Sequence, residues 1–320
     1  MSVAGVIVNY RTAELALEAV SSLLAEMQSL PGGRVYLVDN ASGDDSLATF
    51  AQAIERRGWQ SAVVLIAAPR NGGFGYGVNL AVRRALATEP LPDYLYVLNP
   101  DAQVEPGSLA RLLAFAERHP QAGLAGSHIR GTDGQTQVAA FRFPSLWGEL
   151  EGTANIGLLT RLLARHAVSL PLPDADREVD WISGTSMLIR RSTFEAVGLF
   201  DEEFFLYFEE VDFCRRAKLA ARPAWFVAGA PITHIGAVAT GMRDESRPMP
   251  GYWFDSRHRY LRKHHGAAYA VLCDVAQVLG TFAFQAKQRV LGRSGNPRPH
   301  LLRDMCAKSW QHLRGTAKAH

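Results

Sequence analysis

The sequence predicts an α/β fold, with a mostly parallel sheet flanked by helices and a C-terminal helical extension. Two observations carry this prediction. Short apolar runs, rich in β-branched or aromatic residues, alternate with amphipathic stretches of helical length. Such alternation implies βαβ units, whose strands run parallel in one sheet. The chain has 320 residues and is 48% hydrophobic, which is ordinary for a soluble globular protein.

Four apolar runs are predicted as strands, and the amphipathic stretches between them as helices. The strands cover residues 6–8, 35–38, 63–67 and 94–98, and the helices cover 14–26, 46–57 and 78–87. Residues 147–165 then have a helical pattern, 179–189 form another apolar run, and a helical tail begins near residue 252. We expect one domain over residues 1–265, divided near residue 130, and a tail over residues 266–320.

Charge and cysteine content argue against some classes of protein. The 34 basic and 31 acidic side chains give a net charge of +3, which disfavours a protein that coats nucleic acid. The three cysteines form no C-x-x-C pair, which suits reduced thiols in a cytosol and gives no zinc signature. The chain opens on an apolar run with no positively charged segment before it, so we expect no signal peptide and a cytoplasmic location.

Each of the four predicted strands is followed by a small polar cluster. The clusters hold Asn9, then Asp39 with Asn40, then residues 70–75, then Asn99-Pro100-Asp101. Any one of them is typical of a loop, and Asp39 or Asn40 also suits an Asx-turn or a helix N-cap. Ligands of parallel sheets, however, bind beyond the carboxyl ends of the strands. Four polar strand ends in a row therefore predict a ligand site at that edge.

A glycine cluster over residues 71–77 precedes the third predicted helix. Glycines such as Gly72 and Gly73 let a ligand approach the backbone, and a helix N-terminus favours phosphate. The cluster is not a dinucleotide fingerprint, because Val78 stands where a third glycine is needed. Asn79, in the first turn of the helix, is a candidate to point back at the ligand.

Two residues are candidate metal ligands. Asp101 follows a strand, and a carboxylate there can hold Mg²⁺ or Mn²⁺ together with the phosphates of a nucleotide. His234, in Pro231-Ile232-Thr233-His234, is a second candidate ligand, although a lone histidine after a strand is more often structural.

The acidic segment Glu209-Glu210-Val211-Asp212 opens another predicted helix. Acids in a first helical turn are favoured by the helix dipole, which is the simpler interpretation. The segment is surrounded by aromatic residues, and partly desolvated carboxylates have raised pKa values and make better bases. Glu210 is therefore a candidate general base, with Glu209 and Asp212 as rivals.

Taken together, these segments resemble the family 2 glycosyltransferases, which have the Rossmann-like GT-A fold, and most of all their rhamnosyltransferase-like branch. The likeness covers roughly residues 3–265. It rests on the order and spacing of several motifs rather than on any one of them. They are Val8-Asn9-Tyr10, residues 38–42, residues 71–75 with Asn79, residues 98–101, Trp181-Ile182-Ser183-Gly184, residues 198–202, residues 205–215 and His234.

The resemblance implies an inverting transfer of a sugar from a nucleotide-sugar to a hydroxyl of a cell-surface glycan or its lipid-linked precursor, with deoxythymidine-diphosphate rhamnose as the favoured donor. Residues 1–130 would hold the donor and 131–265 the acceptor. The implied metal ligands are Asp101 and His234, and the implied base is Glu210. The implied donor contacts are Asn9, Asp39, Asn40, Gly72, Gly73, Asn79, Asn99 and Asp101; those on the acceptor side are Trp181, Gly184, Glu209 and Asp212.

The sequence departs from the family pattern at two positions. Asn99 replaces the first acid of the family's D-x-D motif, so less negative charge is available for a metal. Glu210 stands where the family more often has Asp, which keeps the carboxylate but extends its reach.

The tail contains an amphipathic helical pattern over residues 267–286, where Asp274 is the only charged residue. Its length nearly suffices to span a bilayer, but its polar residues recur at helical spacing. The polar stripe is Asp274, Gln277, Thr281, Gln285 and Gln288, and the apolar stripe is Val271, Val275, Val278 and Phe282. The helix either packs on the domain or on a second copy in a homo-oligomer, or it lies on the inner face of the cytoplasmic membrane. In the membrane alternative anionic lipid would be favoured by Lys287, Arg289, Arg293, Arg298 and Arg303.

Two other functions stay open on the sequence alone. A sugar-1-phosphate nucleotidyltransferase would have a glycine-rich basic loop after the first strand, and residues 9–14 contain no glycine. A catalytically silent glycan- or nucleotide-binding module is the other alternative. The presence of Asp101, Glu210 and His234 argues against it.

Overall fold

The computed structural model describes residues 1–30, 32–236, 246–292 and 298–314. Part of the predicted acceptor half, residues 237–245, lies outside the described residues, as do Arg293 and the last residues of the tail. The chain divides into two compact units. Unit 1 comprises residues 1–141, 171–202 and 209–241, and unit 2 comprises residues 142–170, 203–208 and 242–320.

Unit 1 holds the strands and most of the helices of the described chain. Its strands are β1 (Val3–Asn9), β2 (Arg34–Asp39), β3 (Val63–Ala67), β4 (Tyr94–Leu98), β5 (Ala102–Val104), β6 (Leu124–Arg130), β7 (Ala140–Phe141), β8 (Arg177–Val179), β9 (Trp181–Ile182), β10 (Ser186–Arg190) and β11 (Ala224–His234). Its helices are α1 (Ala13–Met27), α2 (Ser46–Arg56), α3 (Phe74–Leu86), α4 (Ser108–Arg118), α7 (Arg191–Val197) and α8 (Glu209–Leu219).

Unit 2 is helical in its described residues. It contains α5 (Leu146–Ala154), α6 (Gly157–Leu163), a 3-10 turn (Ala164–His166), α9 (Gly251–His265), α10 (Ala267–Val290) and α11 (Leu301–Leu313). The helix predicted over residues 147–165 is interrupted because Asn155 adopts a left-handed conformation at the end of α5.

The main sheet has the strand order β3-β2-β1-β4-β10-β6-β11-β5, with β8 paired to β11. Strands β3, β2, β1 and β4 are parallel to one another. Strand β10 is antiparallel to both β4 and β6, and β11 is parallel to β6. The two reversals cancel, so β11 runs in the same direction as β1. The mostly parallel α/β sheet predicted from the sequence is confirmed, and the carboxyl ends of β1, β2, β4 and β11 share one edge.

The centre of the sheet is covered closely enough to bury β1 and β4 along their whole length, as expected for parallel strands with helices on both faces. Helix α3 approaches β1 at Gly77, where a Cβ atom would lie 2.5 Å from Cγ1 of Val8. The glycine cluster therefore has a packing role besides any role in ligand binding.

The helices of unit 2 surround the guanidinium of Arg257, which is 2% exposed. Arg257 forms ion pairs with Glu149 of α5 and Asp274 of α10. Nδ1 of His258 lies 2.9 Å from the other oxygen of Asp274, and the ring of His258 stacks on that of His312 from α11. This buried charge network, centred on Arg257 and Asp274, connects α5, α9, α10 and α11.

The domain boundary predicted at residue 265 stays a prediction, and the buried charge network connects residues on both sides of it. In the structure α9 and α10 belong to the same compact unit, because the Asp274 carboxylate of α10 is partnered by Arg257 and His258 of α9. A helical tail beginning near residue 252 matches α9, which begins at Gly251.

Candidate active site

Asn9 and Asp39, at the ends of β1 and β2, form one hydrogen-bonded group. The Asn9 amide donates to Oδ1 of Asp39 over 2.9 Å, and the backbone N–H of Ser42 donates to Oδ2 over 3.1 Å. The Ser42 hydroxyl also donates to Asp39. Asp39 thus accepts a hydrogen bond from the backbone three residues on, which organises the turn after β2. The same bonds fix its buried carboxylate at the strand edge.

Asn40 and the glycine loop lie beside this group. The Asn40 amide donates to Oδ1 of Asn71 over 3.1 Å and to the carbonyl of Gly73 over 3.0 Å. The Asn40 Oδ1 atom is buried and has no hydrogen-bond partner within the described chain. Gly73 has a φ of 88°, a conformation that side chains disfavour. A buried acceptor without a donor fits a ligand that supplies an N–H group.

Asn79 has a structural set of partners. Its amide donates to the carbonyl of Phe200 and to Oε1 of Glu202, and its own oxygen accepts from the backbone N–H of Phe200. The side chain is completely buried and holds α3 against the segment after α7. A contact between Asn79 and a donor stays a prediction, which these hydrogen bonds do not favour.

Asp101 and His234 are brought together although they are far apart in sequence. Strand β5 pairs with the end of β11, so that Ala102 faces His234. As a result Nε2 of His234 lies 3.2 Å from Oδ1 of Asp101. Both side chains are largely buried, and both lie at the edge where β1 and β2 end.

Gln137 determines which ring nitrogen of His234 carries the proton. The Gln137 amide donates to the His234 carbonyl, so its oxygen is the atom that faces Nδ1, at 3.3 Å. This assignment puts the imidazole proton on Nδ1 and leaves Nε2 of a neutral ring as an acceptor opposite a carboxylate oxygen. Two facing acceptors need a proton or a cation between them, and a histidine oriented through its second nitrogen is typical of metal sites. The pair therefore fits a divalent cation.

Glu209 and Glu210, at the start of α8, differ in their exposure to solvent. Glu209 is 3% exposed and its Oε2 has no hydrogen-bond partner in the described chain, whereas Glu210 is partly exposed. Burial, and then the charge of Glu210, raise the pKa of Glu209 well above its usual range. The raised pKa favours the protonated form of Glu209, since a neutral carboxyl group avoids both the cost of burying a charge and the repulsion from Glu210.

Asp212 is completely buried and forms an ion pair with Arg216, Nε to Oδ2, over 2.8 Å. The same guanidinium donates to the carbonyls of Val197 and Leu199. Asp212 is thus part of the packing of α8, and of the three acids in its first turn it is the least suited to accept a substrate proton.

Trp181 begins β9, and Gly184 lies in the turn between β9 and β10. A Cβ atom on Gly184 would be 3.5 Å from the Phe74 ring and 3.9 Å from Cβ of Glu210. The next residue, Thr185, accepts a hydrogen bond from the backbone of Asn99. Trp181 stacks on Phe141 with ring centroids 3.9 Å apart. Gly184 therefore links the Glu210 end of the site to the turn that carries Asp101.

Seven of the predicted residues thus fall into three neighbouring groups of unit 1. Asn9, Asp39 and Asn40 form the first, Asp101 and His234 the second, and Glu210 with Gly184 the third. Sequence reasoning did not single out Ser42 or Gln137, which orient Asp39 and His234. Ser42 lies in a motif that was recognised, whereas nothing in the sequence near Gln137 marks it.

Comparison with known proteins gives a consistent result. The family model described as glycosyltransferase like family 2 matches residues 2–262. The N-acetylglucosaminyl-diphospho-decaprenol L-rhamnosyltransferase of Mycobacterium tuberculosis is 34% identical over 251 residues, 75% of this chain and 74% of the relative. The low-salt glycan biosynthesis hexosyltransferase Agl10 of Haloferax volcanii is 27% identical over 260 residues, 80% of this chain and 73% of the relative.

Among solved structures, the mannosyltransferase PcManGT from Pyrobaculum calidifontis, in complex with GDP-Man and Mn²⁺, is similar with a TM-score of 0.62 and 15% identity. The match covers 98% of this chain and 88% of that one. At this identity the similarity establishes the fold alone, and that fold is GT-A.

Proposed function

The chain belongs to the glycosyltransferase like family 2, and from this premise we propose that it moves rhamnose from deoxythymidine-diphosphate rhamnose to a hydroxyl of a lipid-linked glycan precursor. The observation that carries the proposal is the pairing of Asp101 with His234 at the edge where β1 and β2 end. The Mycobacterium tuberculosis relative, whose name specifies rhamnose and a diphospho-decaprenol acceptor, supports the choice of substrates. Membership of the family favours the glycosyltransferase over a nucleotidyltransferase or a silent module.

The nucleoside is proposed to bind beyond β1 and β2. The unpartnered Oδ1 of Asn40 and the fixed carboxylate of Asp39 are hydrogen-bond acceptors. A thymine ring offers an N–H donor that either could accept. Asn9 acts on Asp39 rather than on the ligand, since both of its amide contacts go to Asp39 and Ser42.

The diphosphate is proposed to lie near Asp101 and His234, which would hold a divalent cation, with Gly72, Gly73 and Asn99 close by. When bound, such a cation supplies positive charge that stabilises the leaving diphosphate. Gln137 keeps Nε2 of His234 available for this task. Because Asn99 carries no charge, the cation is expected to bind tightly only together with the donor's phosphates.

Glu210 is proposed as the general base on the acceptor side, next to Gly184. It removes the proton from the acceptor hydroxyl as the oxygen attacks the anomeric carbon. The bond from that carbon to the diphosphate breaks in the same step, which inverts the configuration. Glu209 supports Glu210 by holding the proton that the two would otherwise share. Trp181 offers an aromatic face for the acceptor sugar.

The proposed donor can be tested by calorimetric titration with a panel of nucleoside diphosphates and nucleotide-sugars, with Mn²⁺ or Mg²⁺ and then with a chelator. We expect metal-dependent binding of the deoxythymidine compounds. Tighter binding of a uridine or guanosine diphosphate would instead assign a different donor to the same site.

Replacement of Asp101 by asparagine is expected to weaken metal-dependent donor binding by at least about tenfold, because the cation loses a charged ligand. Asp45→Asn is the matched control. Asp45 is exposed, follows β2 and makes no capping hydrogen bond, so its loss changes the charge near the same edge without touching the pair. Equal donor affinity of Asp101→Asn and wild type in Mn²⁺ would refute the metal role.

The lipid-linked acceptor in this proposal would place the enzyme at the inner face of the cytoplasmic membrane. Such a location requires a surface that contacts lipid, and α10 in unit 2 offers one.

A further inference from the structure

Helix α10 buries its polar stripe and exposes its apolar stripe. Its buried stripe contains Asp274, Gln277 and Thr281, together with small residues such as Gly280. Its opposite stripe is apolar and exposed: Leu272 is 53% exposed, Val275 49%, Leu279 58% and Phe282 58%. A helix of a soluble protein normally buries its apolar stripe. The sequence suggested packing on the domain as one alternative, and the structure shows that the packing is made by the polar stripe.

These four residues, Leu272, Val275, Leu279 and Phe282, are called the α10 face. They are spaced by three, four and three positions, so at about 100° per residue they fall on one side of the helix within roughly a quarter turn. Arg289 and Val290 continue the same side about two turns further on, and both are exposed. The face is therefore a continuous apolar ridge that ends in a cation.

The buried stripe fixes the orientation of the helix. Asp274 is tied to Arg257 and His258 of α9. Gly280 approaches α5 so closely that a Cβ atom would lie 2.1 Å from Oγ1 of Thr153. Rotation of α10 to bury its apolar ridge would break the ion pairs and expose Arg257 without them. The α10 face consequently stays outside for as long as unit 2 is folded.

Charge on this part of the chain is strongly positive. Residues 246–320 contain 13 Lys and Arg but only 3 acidic residues, all Asp, although the whole chain has a net charge of only +3. Basic side chains lie around a cavity of about 360 Å³ between the end of α10 and the start of α11. Among its lining residues are Arg289, Arg298 and Arg303.

We propose that the α10 face inserts into the headgroup region of an anionic membrane, with Arg289, Arg298 and Arg303 contacting lipid phosphates. An apolar ridge bordered by cations is the pattern of a helix that lies in the membrane interface. The inference rests on the proposed function in one respect, since a lipid-linked acceptor is what makes the location useful.

Two other arrangements fit the structure less well. Helix α10 is long and apolar enough to cross a membrane, but a spanning helix would carry the Asp274 side into lipid, and that side is packed on α5 and α9. Association of two copies through the α10 face would bring together two copies of a region with 13 Lys and Arg and 3 Asp, and this repulsion opposes a dimer.

The test is flotation of the full chain with phosphatidylcholine vesicles that contain about one third phosphatidylglycerol, compared with vesicles of phosphatidylcholine alone. We expect wild type to bind the anionic vesicles and to be released at high salt. The double variant Leu279→Glu/Phe282→Glu should bind at least about tenfold more weakly. Arg289→Gln should weaken binding about fivefold, as for one cation at an anionic surface.

Leu219→Glu is the matched control, because Leu219 is an exposed leucine of α8 in unit 1, 77% exposed, and its loss should leave vesicle binding unchanged. Equal flotation of the double variant and wild type would overturn the inference. So would a wild-type dimer that the double variant abolishes, without vesicle binding by either protein, since a second copy would then cover the face.

The same proteins separate this inference from the proposed function. Calorimetric donor binding should be the same in wild type and the double variant. Wild type that binds donor but ignores anionic vesicles refutes the membrane face and leaves the glycosyltransferase proposal standing. Wild type that binds vesicles but no nucleotide would support the membrane face and refute the glycosyltransferase proposal.

Discussion

Replacement of Glu210 by glutamine is expected to reduce sugar transfer by at least about a hundredfold, the usual loss when a general base is removed. Donor binding should stay nearly unchanged, because the proposed donor contacts lie at the ends of β1, β2 and β4. The measurement is transfer to an acceptor at saturating donor, together with calorimetric titration of the same donor.

The matched control is Glu209→Gln. Burial and the charge of Glu210 raise the pKa of Glu209, which favours its neutral form, and glutamine resembles a neutral carboxyl group in size and charge. We therefore expect Glu209→Gln to lower transfer by less than about tenfold. A result with the two variants exchanged would move the base to Glu209, and two equally active variants would remove the base from this pair altogether.

Loss of Asp274 is expected to have the largest effect on stability. Among the described residues, Asp274→Ala leaves the buried guanidinium of Arg257 with Glu149 as its one charged partner, and it removes the acceptor of His258. Breaking a buried pair in this way costs about 3 to 5 kcal/mol. We expect α9, α10 and α11 to lose amide protection by about a hundredfold or more in hydrogen exchange, while the strands of unit 1 keep theirs.

Asp304→Ala is the control for this prediction, since the Asp304 pair with Arg303 is at the surface and should contribute less than about 1 kcal/mol.

Acid should reproduce the effect of Asp274→Ala. Burial alone would raise the pKa of Asp274, but the hydrogen bond from His258, the nearby His312 and the Arg257 guanidinium hold it well below its usual range. Its contribution is therefore present at pH values above about 4, the ordinary pKa of Asp, and is lost as the pH falls through the folded pKa. Protection that is unchanged in Asp274→Ala at neutral pH would show that the network does not hold the helices together.

Local sequence determined the architecture of unit 1. The runs predicted as β1, β2, β3 and β4 form parallel strands, because each combines β-branched or aromatic residues with a flanking turn. Their polar ends, Asn9, Asp39 and Asp101, were visible for the same reason, since a parallel sheet puts the carboxyl ends of its strands at one edge. The family was recognisable from the order of these motifs.

Only the tertiary structure decided what each polar side chain is engaged in. Asn79 binds Phe200 and Glu202, which lie more than a hundred positions away along the chain. No local pattern in the sequence reports such a contact. The same holds for Asp101 and His234, which meet because β5 pairs with β11. The pKa of Glu209 depends on how deeply the start of α8 is buried, and composition does not contain that information.

Helix α10 shows both what the sequence predicts and what only the tertiary structure decides. The sequence alone predicted an amphipathic helix over residues 267–286, because the spacing of polar and apolar residues is a local property. Which stripe faces inward was decided by Arg257 and Asp274. Rotation of the helix would leave a buried charge without its partner, and only the folded unit brings the two residues together.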